Sequence, residues 1–371
     1  MAIGILYRDE LREYDFGPAH PFRGNRYRAF VDLLVDSLAD DHNYRIVQAD
    51  WATEEDLLRI CDRDYIDFTA QFYREANLGA VQNGPFSQFH SPDNMPSGRP
   101  GEVEEAARLV VGQAKLACDL TQRGEFAKVV SLGGGLHHAH RRYGEGFCIY
   151  NDVAFCALYL IEEYGLERVL ILDTDAHAGN GTSDYFYDTS KVLLIDIHQD
   201  PFTIYPGTGF PNQIGEGDGK GYTVNVPLPV SAGDDSYQLV FDEVVQPIAE
   251  EYRPQMIIRN GGSDPHVFDG LTSLGLTLKG FNFIGKRVGA LSDQLCQGRA
   301  VDLPCSGYNQ RVLPYAWLSL ICGLVNIDLA LSEPEPLPQS PARDRSLEET
   351  ALAIQRVRKY LKGSWRCFSD A

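Results

Sequence analysis

Two short intervals concentrate residues that can hold a metal and move protons. In the first, the apolar run Val129-Val130-Ser131-Leu132 ends in Gly133-Gly134-Gly135 and then His137-His138. In the second, the apolar run 169–172 ends in Asp173-Thr174-Asp175-Ala176-His177. Apolar strands that terminate in glycine and ionisable residues set polar groups at strand carboxyl ends, where open α/β sheets build their sites. Alternation along an extended chain is expected to send Asp173, Asp175 and His177 to one side. The same pattern recurs where Met256-Ile257-Ile258-Arg259 leads into Asn260-Gly261-Gly262-Ser263-Asp264. It recurs again where Val301-Asp302-Leu303 leads into Cys305-Ser306-Gly307-Tyr308.

Asp175, His177 and Asp264 make a three-ligand set that leaves a coordination position open, as catalytic zinc sites do and four-ligand structural ones do not. The oxygen-rich donors suit Zn²⁺ and let a harder ion such as Fe²⁺ compete. A divalent ion there would activate water and polarise a carbonyl. His137 and His138 are the natural base and acid, because imidazole titrates near working pH. Each needs its second ring nitrogen fixed, with Asp173 and Asn180 as the candidate partners. A Tyr308 hydroxyl aimed at a developing oxyanion would complete the set.

The elements that must position these groups alternate. Strands are expected at 3–7 (read as an edge strand), 44–48, 128–132, 168–172, 192–197, 256–259 and 300–304. Helices are expected at 25–38, 102–121, 152–164, 234–252, 281–297, 312–330 and 347–361, from apolar spacing. Thr53-Glu54-Glu55-Asp56 reads as a helix start. The alternation predicts one α/β domain with a mostly parallel sheet covered by helices on both faces. The polar stretch 77–100 is long enough for a functional loop. Residues 1–330 are expected to form the catalytic domain, and 331–371 a Pro/Ser-containing linker and a last helix packed on it.

Of the 371 residues, 44% are hydrophobic, enough for a sizeable core, and no apolar window reaches membrane length. A net charge of -19 argues against direct nucleic-acid binding. The 8 cysteines lack CxxC spacing and sit mostly in apolar runs, which fits reduced thiols. The first residues read as a strand and not as a secretion signal. A cytoplasmic protein is expected, and a homo-oligomer is compatible with the sequence.

The motifs, taken together and in order, resemble the zinc-dependent histone deacetylase family, with its acetoin-utilisation and acetylpolyamine amidohydrolase relatives. They are His20-Pro21-Phe22-Arg23, GGGLHHA, GFCIYNDVA, DTDAHAGNGT, YPGTG, NGGSD and GY, over residues 1 to 330. The resemblance implies an arginase/deacetylase-like fold with an eight-stranded sheet, and hydrolysis of an N-acyl amide such as acetyl-lysine or acetylpolyamine. It implies zinc on Asp175, His177 and Asp264, acid–base work by His137 and His138, and an oxyanion donor in Tyr308. It puts an acyl channel on Gly146, Phe147, Tyr205 and Leu271, with Asp93 at the rim. It also implies structural potassium, one site using Asp173, Asp175, His177 and Asp196 and another Phe186, Thr189 and Val192. Three positions depart from the pattern: Ala178 where many relatives have a second His, Asn180 where some have Asp, and Cys305-Ser306 where glycines are common. Two other readings compete. An arginase-type binuclear manganese hydrolase would need carboxylates where Gly179 and His266 stand. A non-catalytic acyl-amine binding protein would not need the whole ligand and acid–base set.

Overall fold

The apolar runs form eight strands in the computed structural model, which describes residues 2–38, 42–79, 85–338 and 346–369. They are β1 (Ile3–Leu6), β2 (Tyr44–Val47), β3 (Lys128–Ser131), β4 (Val169–Asp173), β5 (Val192–Gln199), β6 (Thr223–Leu228), β7 (Met256–Asn260) and β8 (Ala300–Leu303). They make one sheet in the order β2-β1-β3-β8-β7-β4-β5-β6, and every pairing is parallel. The chain moves from β3 across to β4, β5 and β6, then returns to insert β7 and β8 in the gap. Every residue of β4, β5, β7 and β8 is buried. Successive side chains point to opposite faces, so both faces are covered, and these sequences read as continuous apolar runs.

Two strand expectations are corrected. The 3–7 strand is not at an edge, since β1 lies between β2 and β3. The true edges are β2 and β6. The sequence reading missed β6, which follows a glycine-rich approach and contains Pro227. An edge strand tolerates proline because one side of its ladder is unpaired.

The expected helices form, 152–164, 234–252 and 347–361 with the bounds expected and the others with shifted ends. Asp152–Tyr164 starts where the Asn151 side chain accepts the Ala154 N–H at 2.8 Å and stops at Gly165, whose φ of 66° is left-handed. The 234–252 stretch is helical throughout, with a wider turn at Phe241–Val245. The last helix before the linker, Leu313–Leu324, ends short of 330. It lies so close to Leu278–Leu295 that a Cβ at Gly285 would fall 2.0 Å from the Leu320 carbonyl oxygen.

Within 77–100, Phe86–Phe89 is helical and Pro92–Asn94 forms a tight turn, while 80–84 lie outside the described residues. Residues 339–345 of the expected linker also lie outside them. The last helix, Leu347–Leu361, packs on β6 and on Asp234–Val240. Beyond it Trp365 Nε1 donates to the Gly221 carbonyl at 2.8 Å, fastening the end of the chain. No helix among the described residues is long and apolar enough to cross a membrane.

One buried ion pair underlies the strand ends that matter most. Arg259 of β7 and Asp302 of β8 are register partners, and Arg259 Nε donates to Asp302 Oδ1. Its Nη1 also donates to the Gly261 carbonyl at 2.5 Å, tying the loop after β7 to the sheet. Removing one partner leaves a charge stranded in the core, whereas replacing both with apolar groups does not. Asp302→Ala should therefore cost about 3–5 kcal/mol, read as a lower urea midpoint. The Arg259→Met/Asp302→Leu double variant should lose clearly less, and equal losses would count against this account.

Candidate active site

Five neighbouring strands, β3, β8, β7, β4 and β5, send their carboxyl-terminal loops to one place. At the end of β4 the backbone turns on its own side chains. The Asp175 N–H donates to Asp173 Oδ1 at 3.0 Å, and the His177 N–H donates to Asp175 Oδ1 at 2.9 Å. The strand stops at Asp173, so these aspartate turns, and not strand alternation, set the positions of Asp175 and His177. Asp173 points elsewhere, accepting from Asn260 Nδ2 at 2.8 Å and facing His137 Nδ1 at 2.8 Å. The alternation expectation for this triplet is thus corrected: Asp175 and His177 converge with Asp264, and Asp173 supports the histidine.

Asp264 arrives from the loop after β7. His177 Nδ1 lies 3.1 Å from Asp175 Oδ1 and 3.0 Å from Asp264 Oδ2. The ligand atoms of the three residues all lie within 4.8 Å of one another, and among the described residues no other trio of His, Cys, Asp or Glu does so. The other Asp264 oxygen accepts from Ser306 Oγ at 2.8 Å. Asp173, Asp175, Asp196 and Asp264 are all buried. Burial pushes Asp264 up to about 7, with the Asp175 charge adding to it. Burial works against charge on His177, but hydrogen bonds to Asp175 and Asp264 outweigh it and lift the imidazole to about 10. Such a donor set is short of positive charge. Two carboxylates and one imidazole converging on one point fit a divalent ion.

The paired histidines follow β3 on a loop pinned by Asp152, whose carboxylate accepts the Gly135 and Leu136 N–H groups at 2.9 Å and 2.8 Å. His137 Nε2 and His138 Nε2 are 3.1 Å apart. Their other nitrogens meet the partners expected from the sequence, His137 with Asp173 and His138 with Asn180 Oδ1 at 2.7 Å. The environments differ. Burial opposes charge on His137, yet Asp173 and Asp175 overcome it and raise it to about 9. Burial and the neighbouring His137 charge hold His138 well below its usual value. A Cβ at Gly146 would sit 2.3 Å from His138 Cδ2, so only glycine lets this wall approach the ring.

A cavity of about 370 Å³ opens above these groups, lined by His137, His138, Asp175, His177 and Tyr308 and walled by Gly146, Phe147, Tyr205 and Leu271. Tyr205 is 41% and Leu271 45% exposed, which places both at the mouth. Phe147 has a φ of 66°, uncommon for a residue with a side chain, and its ring meets Tyr308 edge-on at 5.9 Å. Asp93 also lines the cavity, where its Oδ2 accepts the Gly146 N–H at 2.9 Å and its carbonyl faces His20 Nε2 at 2.8 Å. Asp196 lies beside Asp173 in the β4–β5 register. Phe186, Thr189 and Val192 are grouped at the amino end of β5, away from the cavity. Gly179 donates to Asp196 and His266 Nε2 faces Glu333 at 3.1 Å, so neither helps to build a second ion position.

Sequence reasoning missed several supports. Ser306 had a signal, since it departs from glycine, but its hydroxyl's reach to Asp264 did not show. Asn260, Asp152 and Glu145 carried no local signal, because their partners lie 87, 17 and 35 residues away.

A profile described as the histone deacetylase domain matches residues 20–324. A probable deacetylase of Archaeoglobus fulgidus is 34% identical over 378 residues, covering 99% of this chain and 100% of the relative. An acetoin utilization protein AcuC of Staphylococcus aureus is 35% identical over 324 residues, covering 86% of this chain and 81% of that protein. The crystal structure of the HDA15 HD domain shares the fold, with a TM-score of 0.82 at 24% identity, covering 100% of this chain and 98% of that one. With the profile spanning most of the chain and one relative aligned along its whole length, this protein belongs to the histone deacetylase family.

Proposed function

We propose that the protein is a metal-dependent amidohydrolase that removes an acetyl or other short acyl group from an amine such as acetyl-lysine or an acetylpolyamine. One observation carries the reading: two histidines 3.1 Å apart, held in opposite electrostatic environments, face the same cavity as the three converging ligand side chains. Pairs of titratable groups pushed apart in this way divide acid from base.

Asp175, His177 and Asp264 would hold a divalent ion, zinc in first place and Fe²⁺ as the alternative. When bound, that ion would supply Lewis-acid polarisation of the carbonyl and a more acidic water. The chain's own residues do the rest. His137 and His138 present their Nε2 atoms to the cavity, where one accepts a proton from water and one returns a proton to the departing amine. Asp173 and Asn180 keep each ring in place from behind. Tyr308 donates its hydroxyl to the oxygen that gains charge. Burial and the Asp264 charge hold that phenol well above its usual range, so it remains a donor at any working pH. Phe147, Tyr205 and Leu271 enclose an apolar stem, and the Gly146 backbone closes the wall against His138.

The reading extends to the chain as a whole. Residues 1–330 would form the catalytic domain and 331–371 a segment packed on it. Potassium would stiffen the β4–β5 end at Asp173 and Asp196 and the turn at Phe186, Thr189 and Val192. The cysteines are all free, and seven of the 8 are buried, which supports a reducing, cytoplasmic setting.

Two expected outcomes test the reading. Tyr308→Phe should lower turnover of an acetyl-lysine peptide roughly 10²-fold or more with its metal content unchanged. Unchanged turnover would remove the tyrosine from the mechanism. Chelation should abolish turnover and zinc should restore it at about one ion per chain, with Asp264→Ala binding none at this position. Two tightly bound manganese ions per chain would favour an arginase-type enzyme. A panel of acetyl peptides, longer acyl peptides and acetylpolyamines would then fix the substrate.

A further inference from the structure

We propose that Glu145 is a positioning residue for His138, acting through the side-chain amide of Asn180. The inference rests on the acid–base role given to His138 above. Asn180 stands directly behind the ring, with Oδ1 2.7 Å from His138 Nδ1. On its far side Nδ2 lies 2.5 Å from Glu145 Oε1. Glu145 Oε1 is also 3.1 Å from His140 Nε2, and His140 Nδ1 is 2.6 Å from Asp184 Oδ2. The five side chains form one continuous line from the cavity wall to the surface.

The chemistry of the donors gives this line a direction. A carboxylate only accepts, so Glu145 compels the NH₂ end of Asn180 to face it. The amide is planar and rigid, so its oxygen must then face His138. That oxygen also only accepts, so His138 Nδ1 must carry the proton. Nε2, the atom turned toward His137 and the cavity, is left as the free acceptor. An aspartate at position 180 would impose this tautomer unaided. An asparagine would not, because either end of an amide can meet an imidazole nitrogen. Asn180 therefore needs an arbiter on its other side, and Glu145 fills that place. His140, held between Glu145 and Asp184, keeps the Glu145 carboxylate turned inward.

The test uses zinc-loaded full-length protein in two arms. By nitrogen NMR of ¹⁵N-histidine-labelled protein, the parent should show His138 protonated on Nδ1. Glu145→Gln should show a mixture of tautomers, since a glutamine amide can accept or donate. In kinetics, Glu145→Gln should lower kcat about tenfold or more, a part of the ~10²–10⁴ that a positioned acid–base group supplies. KM and bound zinc should stay near the parent values. The decisive variant is Glu145→Gln combined with Asn180→Asp, which puts a carboxylate directly on His138 and should restore both the single tautomer and most of kcat. Should Glu145→Gln fail to fold, Asn180→Ala keeps the carboxylate, removes the bridge and must give the same loss of kcat with KM unchanged. Parent-like kcat in Glu145→Gln, a double variant no faster than the single one, or a parent His138 protonated on Nε2 would each overturn the proposal. If the parent hydrolyses no acylated amine, the deacetylase reading falls alone, and the NMR arm still decides the role of Glu145.

Discussion

Four carboxylates, Asp173, Asp175, Asp196 and Asp264, are withdrawn from water at the ends of three adjacent strands. Burying that much like charge is tolerable only where every oxygen is met by a donor or a cation. The neighbourhood is arranged to do so. Asp173 is met by the Asp175 N–H, Asn260 Nδ2 and His137; Asp196 by the Gly179 N–H and His198; Asp264 by Ser306, the Ala176 N–H and His177. The donors that neutralise the first two are backbone groups and supporting side chains. The third shares its imidazole with Asp175, and at that point the site is open to an ion.

Bringing those groups together depends on how closely the backbones can approach. Parallel strands lie side by side with their carboxyl ends level, so loops only a few residues long suffice to carry Asp264 to His177 and Tyr308 to the cavity. The loops must then cross one another tightly. A Cβ at Gly262 would lie 2.0 Å from the Ser306 carbonyl oxygen, so the β7 and β8 loops touch backbone to backbone. The same intimacy lets Arg259 bind the Gly261 carbonyl from below while Ser306 binds Asp264 from beside it. The three converging side chains are therefore held by hydrogen bonds within and between loops, more than by any strand's own regularity.

This division explains what the sequence made legible. Apolar runs of four to six residues revealed seven of the eight strands, and ionisable residues just past their ends revealed His137, His138, Asp175, His177, Asp264 and Tyr308. The signal was strong because each chemical group sits within a few residues of a strand. β6 escaped because its proline and the glycines before it look like a loop, although its partner β5 is the strand just before it in the chain. β1 looked like an edge because its position is set by β3, more than 120 residues on. Asp173, expected as a ring partner for the paired histidines, faces His137, but alternation could not place Asp175 and His177, because the strand stops before them. Glu145 was invisible for a different cause: its meaning lies in which way the amide of Asn180, 35 residues away in the chain, is turned.

The order in which the strands are laid down has a consequence for biosynthesis. β3 and β4 are made early, yet the gap between them is filled by β7 and β8, residues 256 to 303. While the ribosome is still producing the middle of the chain, both flanking strands present bare backbone ladders to their surroundings, the kind of surface that invites pairing with other nascent chains. The half-made protein also lacks Asp264 and Tyr308, so the ligand cluster stays incomplete during that interval. Completion of the three-ligand cluster and closure of the sheet thus both come late, and a polypeptide truncated before residue 256 would have neither.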